Sequence, residues 1–254
     1  SVGATENLLF AGVLADGETV IVNAAREPEI QDLVKQLTEM GAMITGAGTS
    51  LITIHGVDRL EPVQHQVLPD RLEAGTFAAA AAITAGDITV TGCVTEHLRM
   101  ELAKLEQTGC VVDRGEGWLR VRGPERPAPV DFATLPFPGF HTDMHPQMVA
   151  LLSVANGTSV ITENLYDARF RYIGELARMG ADISTEAQHA IIRGVDRLSG
   201  CPVLAPDIRA GAALVLAGLR AEGTTEVSDA EHIDRGYEEF PARLSALGAH
   251  VERQ

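Results

Sequence analysis

The sequence predicts an α/β protein in which one structural unit recurs four times, and three observations carry that reading. A glycine opens a strand-like run at Gly17-Glu18-Thr19-Val20-Ile21-Val22, Gly86-Asp87-Ile88-Thr89-Val90-Thr91, Gly157-Thr158-Ser159-Val160-Ile161-Thr162 and Gly223-Thr224-Thr225-Glu226-Val227-Ser228, at separations of 69, 71 and 66 residues. Each run is followed by apolar residues three and four apart, such as Leu98, Leu102 and Leu105, or Tyr172, Ile173 and Leu176, the period of a helix with one buried face. Each of these helices stops at a glycine followed by a small residue: Gly41-Ala42, Gly109-Cys110, Gly180-Ala181 and Gly248-Ala249. Glycine there supplies the left-handed backbone that ends a helix.

In chain order the unit reads helix, strand, helix, strand, strand. The leading helices are expected at 7–14, 76–83, 148–154 and 212–219, each an apolar stretch just before an opening glycine. A second strand follows each glycine stop, for instance at 43–45 or 181–184, and a third follows in the first three units, at 51–55, 118–121 and 189–193. A period near 69 residues is longer than the ~20 to 50 of solenoids and propellers, so each copy is closer to a subdomain. Packed side by side, such units would bury the apolar helices centrally with the sheets outside. The boundary between domains is expected in the Pro/Gln/His stretch 61–69, and the segment 123–140, with five prolines, as an ordered surface connection.

The chain has 254 residues with 35 acidic and 20 basic side chains, a net charge of −15, and is 45% hydrophobic and 22% charged. These are the proportions of an ordinary globular protein. No apolar stretch approaches the roughly 20 residues of a membrane helix. A charge this negative repels phosphate backbones, so general nucleic-acid binding is not expected, whereas a few arginines in a cleft can still hold a small anion. Cys93, Cys110 and Cys201 lack the spacing of a zinc or redox site and read as small buried residues in a reducing cytoplasm. The first residue is Ser1 and no targeting segment follows it, so either something was removed before it or the sequence begins inside a longer protein.

Chemistry is expected where the leading helices begin: Ser1-Val2-Gly3-Ala4-Thr5, Asp70-Arg71-Leu72, Thr142-Asp143-Met144 and Asp207-Ile208-Arg209. Related by rotation, these N-termini would point to a common region, where exposed N–H groups and the helix dipole favour phosphate or carboxylate. Ser1, Gly3 and Thr5 read either as a phosphate cradle or as a plain helix cap. Arg209 opens an otherwise apolar helix, a costly place for a charge without an anion. Arg235, in His232-Ile233-Asp234-Arg235-Gly236-Tyr237, reads as a second guanidinium for an anion or as a salt bridge to a neighbour such as Asp234. Asp143, between His141 and His145, reads as a proton-transferring carboxylate or an N-cap. The histidines are too poor in further ligands for a metal. Asn23, Arg26 and Glu27 precede Pro28, which marks a helix start.

Taken together, Ser1-Val2-Gly3-Ala4-Thr5-Glu6-Asn7, Ala25-Arg26-Glu27-Pro28-Glu29, Leu68-Pro69-Asp70-Arg71, Phe140-His141-Thr142-Asp143-Met144, Asp207-Ile208-Arg209-Ala210 and the stretch 232–237 resemble the UDP-N-acetylglucosamine enolpyruvyl transferases, in the family's order and across essentially the whole chain. The resemblance implies inside-out α/β domains built from six units in all, of which four match here. Residues 1–66 would be the last unit of one domain and 67–254 most of the other. The family's first two units, with the mobile loop that carries a Cys or Asp acid and an early Lys-Asn pair, would fall before Ser1, and none of the three cysteines here matches the loop cysteine. The family transfers the enolpyruvyl group of phosphoenolpyruvate to the 3-hydroxyl of UDP-N-acetylglucosamine, the first committed step of peptidoglycan synthesis, in the cytoplasm and without a cofactor.

By motif match, Asp143 would be the base near the sugar hydroxyl, and Arg209 and Arg235 would hold the phosphate and carboxylate of phosphoenolpyruvate. Ser1, Val2 and Gly3 would contact the diphosphate, and Leu165 the substrate through its backbone. For Arg169 two readings stand, a residue of the same cleft or a surface arginine. His141 replaces the family's usual proline, which bears on how rigidly Asp143 is presented. The expectation is that this chain alone has no transferase activity and needs the missing units or a complementing chain. The competing readings are a relative acting on another nucleotide or a shikimate-type acceptor in specialised metabolism, and a non-catalytic fragment. RNA phosphate cyclases share the broad architecture, but the acidic charge and absent basic stripe argue against them.

Overall fold

The computed structural model describes residues 1–253, and no helix among them is long and apolar enough to cross a membrane. The chain divides into two compact units, Ser1–Pro69 with Pro136–Gly139 grouped to it, and Asp70–Leu135 with the residues from Phe140 onward.

In the first unit, helix α1 (Val2–Gly12) leads into strand β1 (Glu18–Val22), helix α2 (Pro28–Glu39) and strands β2 (Met43–Thr45) and β3 (Leu51–His55). The sheet is antiparallel in the order β1-β3-β2, with Val20 opposite Thr53. Alternation along the strands turns Ile21, Ile52 and Ile54 inward, where they pack with Leu9 of α1 and Ile30, Val34 and Leu37 of α2. Pro28 at the start of α2 is pre-set for the helical φ and has no N–H to leave unsatisfied.

The second unit contains helix α3 (Arg71–Thr84), strand β4 (Asp87–Thr91), helix α4 (Arg99–Gln107) and strands β5 (Val111–Gly115), β6 (Trp118–Arg122) and β7 (Phe132–Ala133). Then come helix α5 (His145–Leu152), strand β8 (Thr158–Thr162), helix α6 (Ile173–Arg178), strands β9 (Asp182–Glu186), β10 (His189–Arg193) and β11 (Pro202–Leu204), helix α7 (Ile208–Arg220), strand β12 (Glu226–Ser228), and helices α8 (Glu231–Asp234) and α9 (Phe240–Ala246). Three sheets, β4-β6-β5, β7-β8-β10-β9 and β11-β12, accompany a centre in which α3, α5 and α7 pack on one another. All eight residues of α5 are buried, as are the run Ala78–Ile83 of α3 and Ala210–Leu214 of α7. Helices apolar all round belong in a core, and the small Ala and Gly side chains let these approach closely. An added Cβ at Gly75 would lie 2.8 Å from Met144 Sδ, and one at Gly211 2.6 Å from Ile233.

The four glycine stops all have positive φ, +103° at Gly41, +94° at Gly109, +93° at Gly180 and +97° at Gly248. After each, the next N–H donates to the carbonyl five residues back, Ala42 to Leu37, Cys110 to Leu105, Ala181 to Leu176 and Ala249 to Leu244, at 2.9 to 3.2 Å. These are Schellman motifs, which satisfy orphan carbonyls at the helix end. A further repeated glycine escaped the sequence reading. Gly56, Gly123 and Gly194 follow the third strand of the first three copies, and their N–H groups donate to Gly17, Gly86 and Gly157 at 3.0, 2.9 and 2.9 Å. They close each copy onto its opening glycine, and a Cβ on Gly194 would overlap the Ala155 carbonyl oxygen at 1.9 Å.

Three expectations are corrected. The segment 123–140 is more than a surface connection: it buries Val130 and Phe132 and supplies β7, which runs parallel to β8. No strand follows Gly248 among the described residues; the fourth copy instead pairs β12 parallel to β11. Both parallel pairs, β7 with β8 and β11 with β12, span one central helix, because parallel neighbours need a crossover. The leading helices also begin four to five residues before the expected starts at 7, 76 and 212, because capping residues lengthen them. Ser1, Asp70, His141 and Asp207 each accept a backbone N–H as N-cap, and their separations are 69, 71 and 66 residues, those of the opening glycines.

Two glycine substitutions should separate backbone conformation from space. Gly180→Ala, with nothing within 4 Å of its new Cβ, should cost about 1–2 kcal/mol for the left-handed backbone alone. Gly194→Ala should cost about 3 kcal/mol or more, because the Ala155 carbonyl must move. Denaturant unfolding of both variants checks the ranking, and equal costs would contradict it.

Candidate active site

The turn Thr142–Met144 precedes α5 and places Asp143 against two arginines from other elements. Arg169 Nη2 donates to Asp143 Oδ1 at 2.6 Å, and Arg209 Nε donates to Oδ2 at 3.3 Å. Arg169 is buried and Arg209 largely so, with side chains 8% and 14% exposed, and Asp143 is 29% exposed. Burial raises the Asp143 carboxyl, but electrostatic interactions with His141, Arg169 and Arg209 outweigh it and hold the group below the usual carboxylate range. Arg209 is desolvated too, yet the neighbouring Tyr237 and Asp143 keep it raised.

Each residue of this cluster is fixed from behind. Asp143 N–H donates to His141 Nδ1 at 3.0 Å, so the histidine ring caps the turn. His141 N–H donates to Glu101 Oε1 of α4 at 2.9 Å, and burial raises the Glu101 carboxyl. Arg169 Nε donates to Thr142 Oγ1 at 3.1 Å, and its guanidinium stacks over Tyr166 at 4.8 Å. Thr142 Oγ1 in turn donates to Glu163 Oε2 at 2.8 Å. The Arg209 guanidinium lies over Tyr237, 5.3 Å from the ring centre. Tyr237 Oη, Thr76 Oγ1 and Gln147 Nε2 form a buried triad at 2.9, 3.0 and 3.2 Å.

The predicted residues can now be located. Asp143, Arg169 and Arg209 form one cluster, so Arg169 is not a surface arginine. Leu165 lies two residues from Glu163, and its N–H donates to Glu163 Oε1 at 2.7 Å. Arg235 is exposed, and Asp234 pairs with Arg253 instead, at 2.7 Å. Gly236 packs against Ile208 and reaches Arg209, since its added Cβ would stand 3.5 Å from Arg209 Nη1. In the first unit, Ser1 Oγ accepts from Ala4 N at 3.2 Å as a cap, and Val2 and Gly3 open α1 beside it. The Thr5 hydroxyl is engaged on both sides, donating to Ser1 O and accepting from Ala25 N, so it does not belong to a phosphate cradle. No group of acidic, histidine or cysteine side chains among the described residues could hold a metal. Sequence reasoning placed Thr142 in an informative turn without giving it a role, and missed Glu101 and Glu163. A glutamate among Leu98, Leu102 and Leu105 was a usable signal for a buried charge; Glu163 offered none.

His145 at the start of α5 is fully buried, with Nδ1 2.9 Å from Tyr172 Oη. Burial, with the nearby charge of Arg169, pushes its imidazole down to about 3. The folded value is below the unfolded one of 6.5, so the unfolded chain binds the extra proton between them. Stability should therefore fall as pH drops from 6.5 toward about 3, by up to about 1.4 kcal/mol per pH unit. His145→Gln, which can still bond Tyr172 but does not titrate, should show a visibly shallower acid slope in unfolding experiments from pH 7 to 4.5. An unchanged slope would contradict the assignment.

Comparison with known proteins identifies the family. A family model described as EPSP synthase (3-phosphoshikimate 1-carboxyvinyltransferase) matches residues 1–244. The UDP-N-acetylglucosamine 1-carboxyvinyltransferase of Nocardia farcinica is 56% identical over 253 residues, covering 100% of this chain and 59% of that protein. UDP-N-acetylglucosamine 1-carboxyvinyltransferase 2 of Caldanaerobacter subterraneus is 53% identical over 254 residues, covering 100% of this chain and 61% of its own length. The chain thus spans about three fifths of the length of these relatives. Among solved structures, the enolpyruvyl transferase NikO from Streptomyces tendae superposes with a TM-score of 0.88 at 28% identity, over 99% of this chain and 60% of that one. An EPSP synthase from Acinetobacter baumannii shares the fold, with a TM-score of 0.73 at 20% identity over 100% and 62% of the two chains. The central helices with sheets outside are thus the inside-out α/β fold, and the chain belongs to the EPSP synthase family of enolpyruvyl transferases.

Proposed function

We propose that the protein containing this chain is a UDP-N-acetylglucosamine 1-carboxyvinyltransferase. It would move the enolpyruvyl group of phosphoenolpyruvate to the 3-hydroxyl of UDP-N-acetylglucosamine and release phosphate. The observation that supports this best is a carboxylate held between two buried guanidiniums, on a chain 56% identical throughout to an enzyme of that name. In this reading the protein serves peptidoglycan synthesis, and so cell-wall biogenesis, cell shape and division. It works in the cytoplasm without a cofactor, on soluble substrates rather than on nucleic acid or at a membrane.

The sugar oxygen bonds to C2 of phosphoenolpyruvate while a proton adds to C3; then a proton leaves C3, the double bond reforms and phosphate departs from C2. Asp143 takes the hydroxyl proton. As a carboxylate held low by two arginines it is a weak base. An anionic group of phosphoenolpyruvate competes with Asp143 for Arg209, which lets the proton affinity of Asp143 rise as the substrate binds. Arg209, whose Nη1 is buried with no hydrogen-bond partner among the described residues, and Arg235 hold the phosphate and carboxylate as charge develops. Arg169 keeps Asp143 aimed, the Leu165 backbone contacts the sugar nucleotide, and Ser1, Val2 and Gly3 meet its diphosphate at the start of α1. The acid that protonates C3 is assigned to no residue here. Residues 1–66 contribute one unit of one domain and 67–254 most of the second. The remaining units are supplied by the same polypeptide or by a complementing chain, so the isolated 254 residues release no phosphate.

The NikO likeness keeps a second reading alive, a relative that acts on another nucleotide in specialised metabolism. A chimera settles the choice: this chain replaces the matching part of the Nocardia farcinica enzyme, with folding checked by thermal melting. Phosphate release from phosphoenolpyruvate is expected with UDP-N-acetylglucosamine and not with shikimate 3-phosphate or uridine diphosphate. Preference for either of the latter, or a folded chimera inactive with all three, would sink the proposal. In the active chimera, Asp143→Asn should lower kcat by about 100-fold or more with KM little changed. Arg209→Lys should chiefly raise KM for phosphoenolpyruvate.

A further inference from the structure

Glu163 is a buried carboxylate, 4% exposed, to which neither the sequence motifs nor the reaction gives a role. It follows the last residue of β8 and collects four donors. Oε1 accepts from Thr134 Oγ1 at 2.7 Å and from the N–H groups of Leu165 and Tyr166 at 2.7 and 3.0 Å, and Oε2 accepts from Thr142 Oγ1 at 2.8 Å. Thr134 is itself tied to the turn, accepting from Asn164 N through Oγ1 and from Asn164 Nδ2 through its carbonyl. One side chain therefore joins the segment after β7, the turn at 163–166 and the turn that carries Asp143.

We infer that Glu163 is a positioning residue for the reaction centre, acting on Arg169 through Thr142; this rests on the proposed transfer reaction for its purpose, though not for its test. A hydroxyl has one proton and two lone pairs. With the Thr142 proton committed to a carboxylate, a lone pair is left facing Arg169, whose Nε–H fills it at 3.1 Å. That bond fixes one edge of the guanidinium plane, and Nη2 on the same plane meets Asp143 Oδ1 at 2.6 Å. Glu163 thus sets the direction of Thr142, Thr142 the plane of Arg169, and Arg169 the aim of Asp143. The other oxygen of the same carboxylate orders the backbone that presents Leu165, so both features are referred to one buried anchor.

The Arg169 Nε–H resonance of the 15N-labelled chain, identified by its loss in Arg169→Lys, reports the relay directly and needs no substrate or activity. In the wild type this proton should exchange slowly with solvent. Thr142→Val keeps the shape and leaves the 163–166 turn intact but removes the hydroxyl, and should speed exchange by roughly fivefold to tenfold. Glu163→Gln should do the same by freeing the Thr142 proton, the double variant should be no faster than either, and Thr142→Ser should restore slow exchange. Thermal melting confirms that each variant is folded. Unchanged exchange in folded Thr142→Val would overturn the relay and leave Glu163 a turn anchor alone. A wild-type proton that already exchanges freely would overturn it as well. Because no substrate is present, either failure leaves the proposed reaction to be judged by the chimera.

Discussion

The close approach of three apolar helices governs the second unit. Helices α3, α5 and α7 meet through alanine and glycine, and at that spacing their starts cannot lie far apart. Asp70, His141 and Asp207 cap those starts. The residues just after the caps are then drawn together: Asp143 and Arg209 each stand two positions beyond one. A bulkier contact surface would push the helices apart and with them the carboxylate and its guanidinium. Gly75 against Met144 and Gly211 against Ile233 mark places where even one methyl group would have to displace a neighbour. Packing at the centre and chemistry at the rim are therefore one constraint.

Electrostatics refines that arrangement. In a chain of net charge −15, a cation-rich site has to be assembled locally from side chains the core itself holds. Arg169 is buried and Arg209 largely so, and two such desolvated guanidiniums are tolerable only because Asp143 lies between them and aromatic faces cover them, Tyr166 on one and Tyr237 on the other. His141 completes the arrangement by a route of its own, capping with a ring nitrogen where the two flanking helices use aspartate. An aspartate there would place another carboxylate beside Asp143, whereas the imidazole accepts the N–H without adding negative charge.

Much of this could be read from the residues, for reasons of range. The glycine stops were legible because a left-handed helix end is a local requirement, met by Gly41, Gly109, Gly180 and Gly248. Arg209 was legible as a charge opening an apolar helix, and Asp143 as a carboxylate at a helix start. Arg169 was undecided between cleft and surface because its neighbours Asp167 and Arg171 are polar and its burial is set by partners 26 and 27 residues away. Glu163 was invisible for the same reason, since Thr134 lies 29 residues away, and Glu101, readable as a charge among leucines, gave no sign of its partner His141 40 residues on. The closing glycines at 56, 123 and 194 recur at the period of the repeat and were legible in principle. Helical stops draw attention because a known motif explains them, whereas the carbonyl that excludes a side chain from Gly194 becomes apparent only in three dimensions.

The same contacts that make the cluster stable also make it a poor base at rest. Asp143 accepts hydrogen bonds from two guanidiniums, and each lowers its affinity for a proton. A carboxylate so held gains basicity only by losing part of that support, and what can remove it is a competing anion. Arg209 is the arginine from which it can be taken. Its bond to Asp143 is the longer, 3.3 Å against 2.6 Å, and its Nη1 has no hydrogen-bond partner among the described residues. Arg169 is held from behind by Thr142 and stays. An anionic substrate settling on Arg209 would thus weaken one of the two ion pairs and leave the other to aim the carboxylate. If Asp143 is the base of the proposed reaction, binding and activation of that base would be one event, and an acceptor hydroxyl arriving without the anion would meet an Asp143 still held low by both arginines.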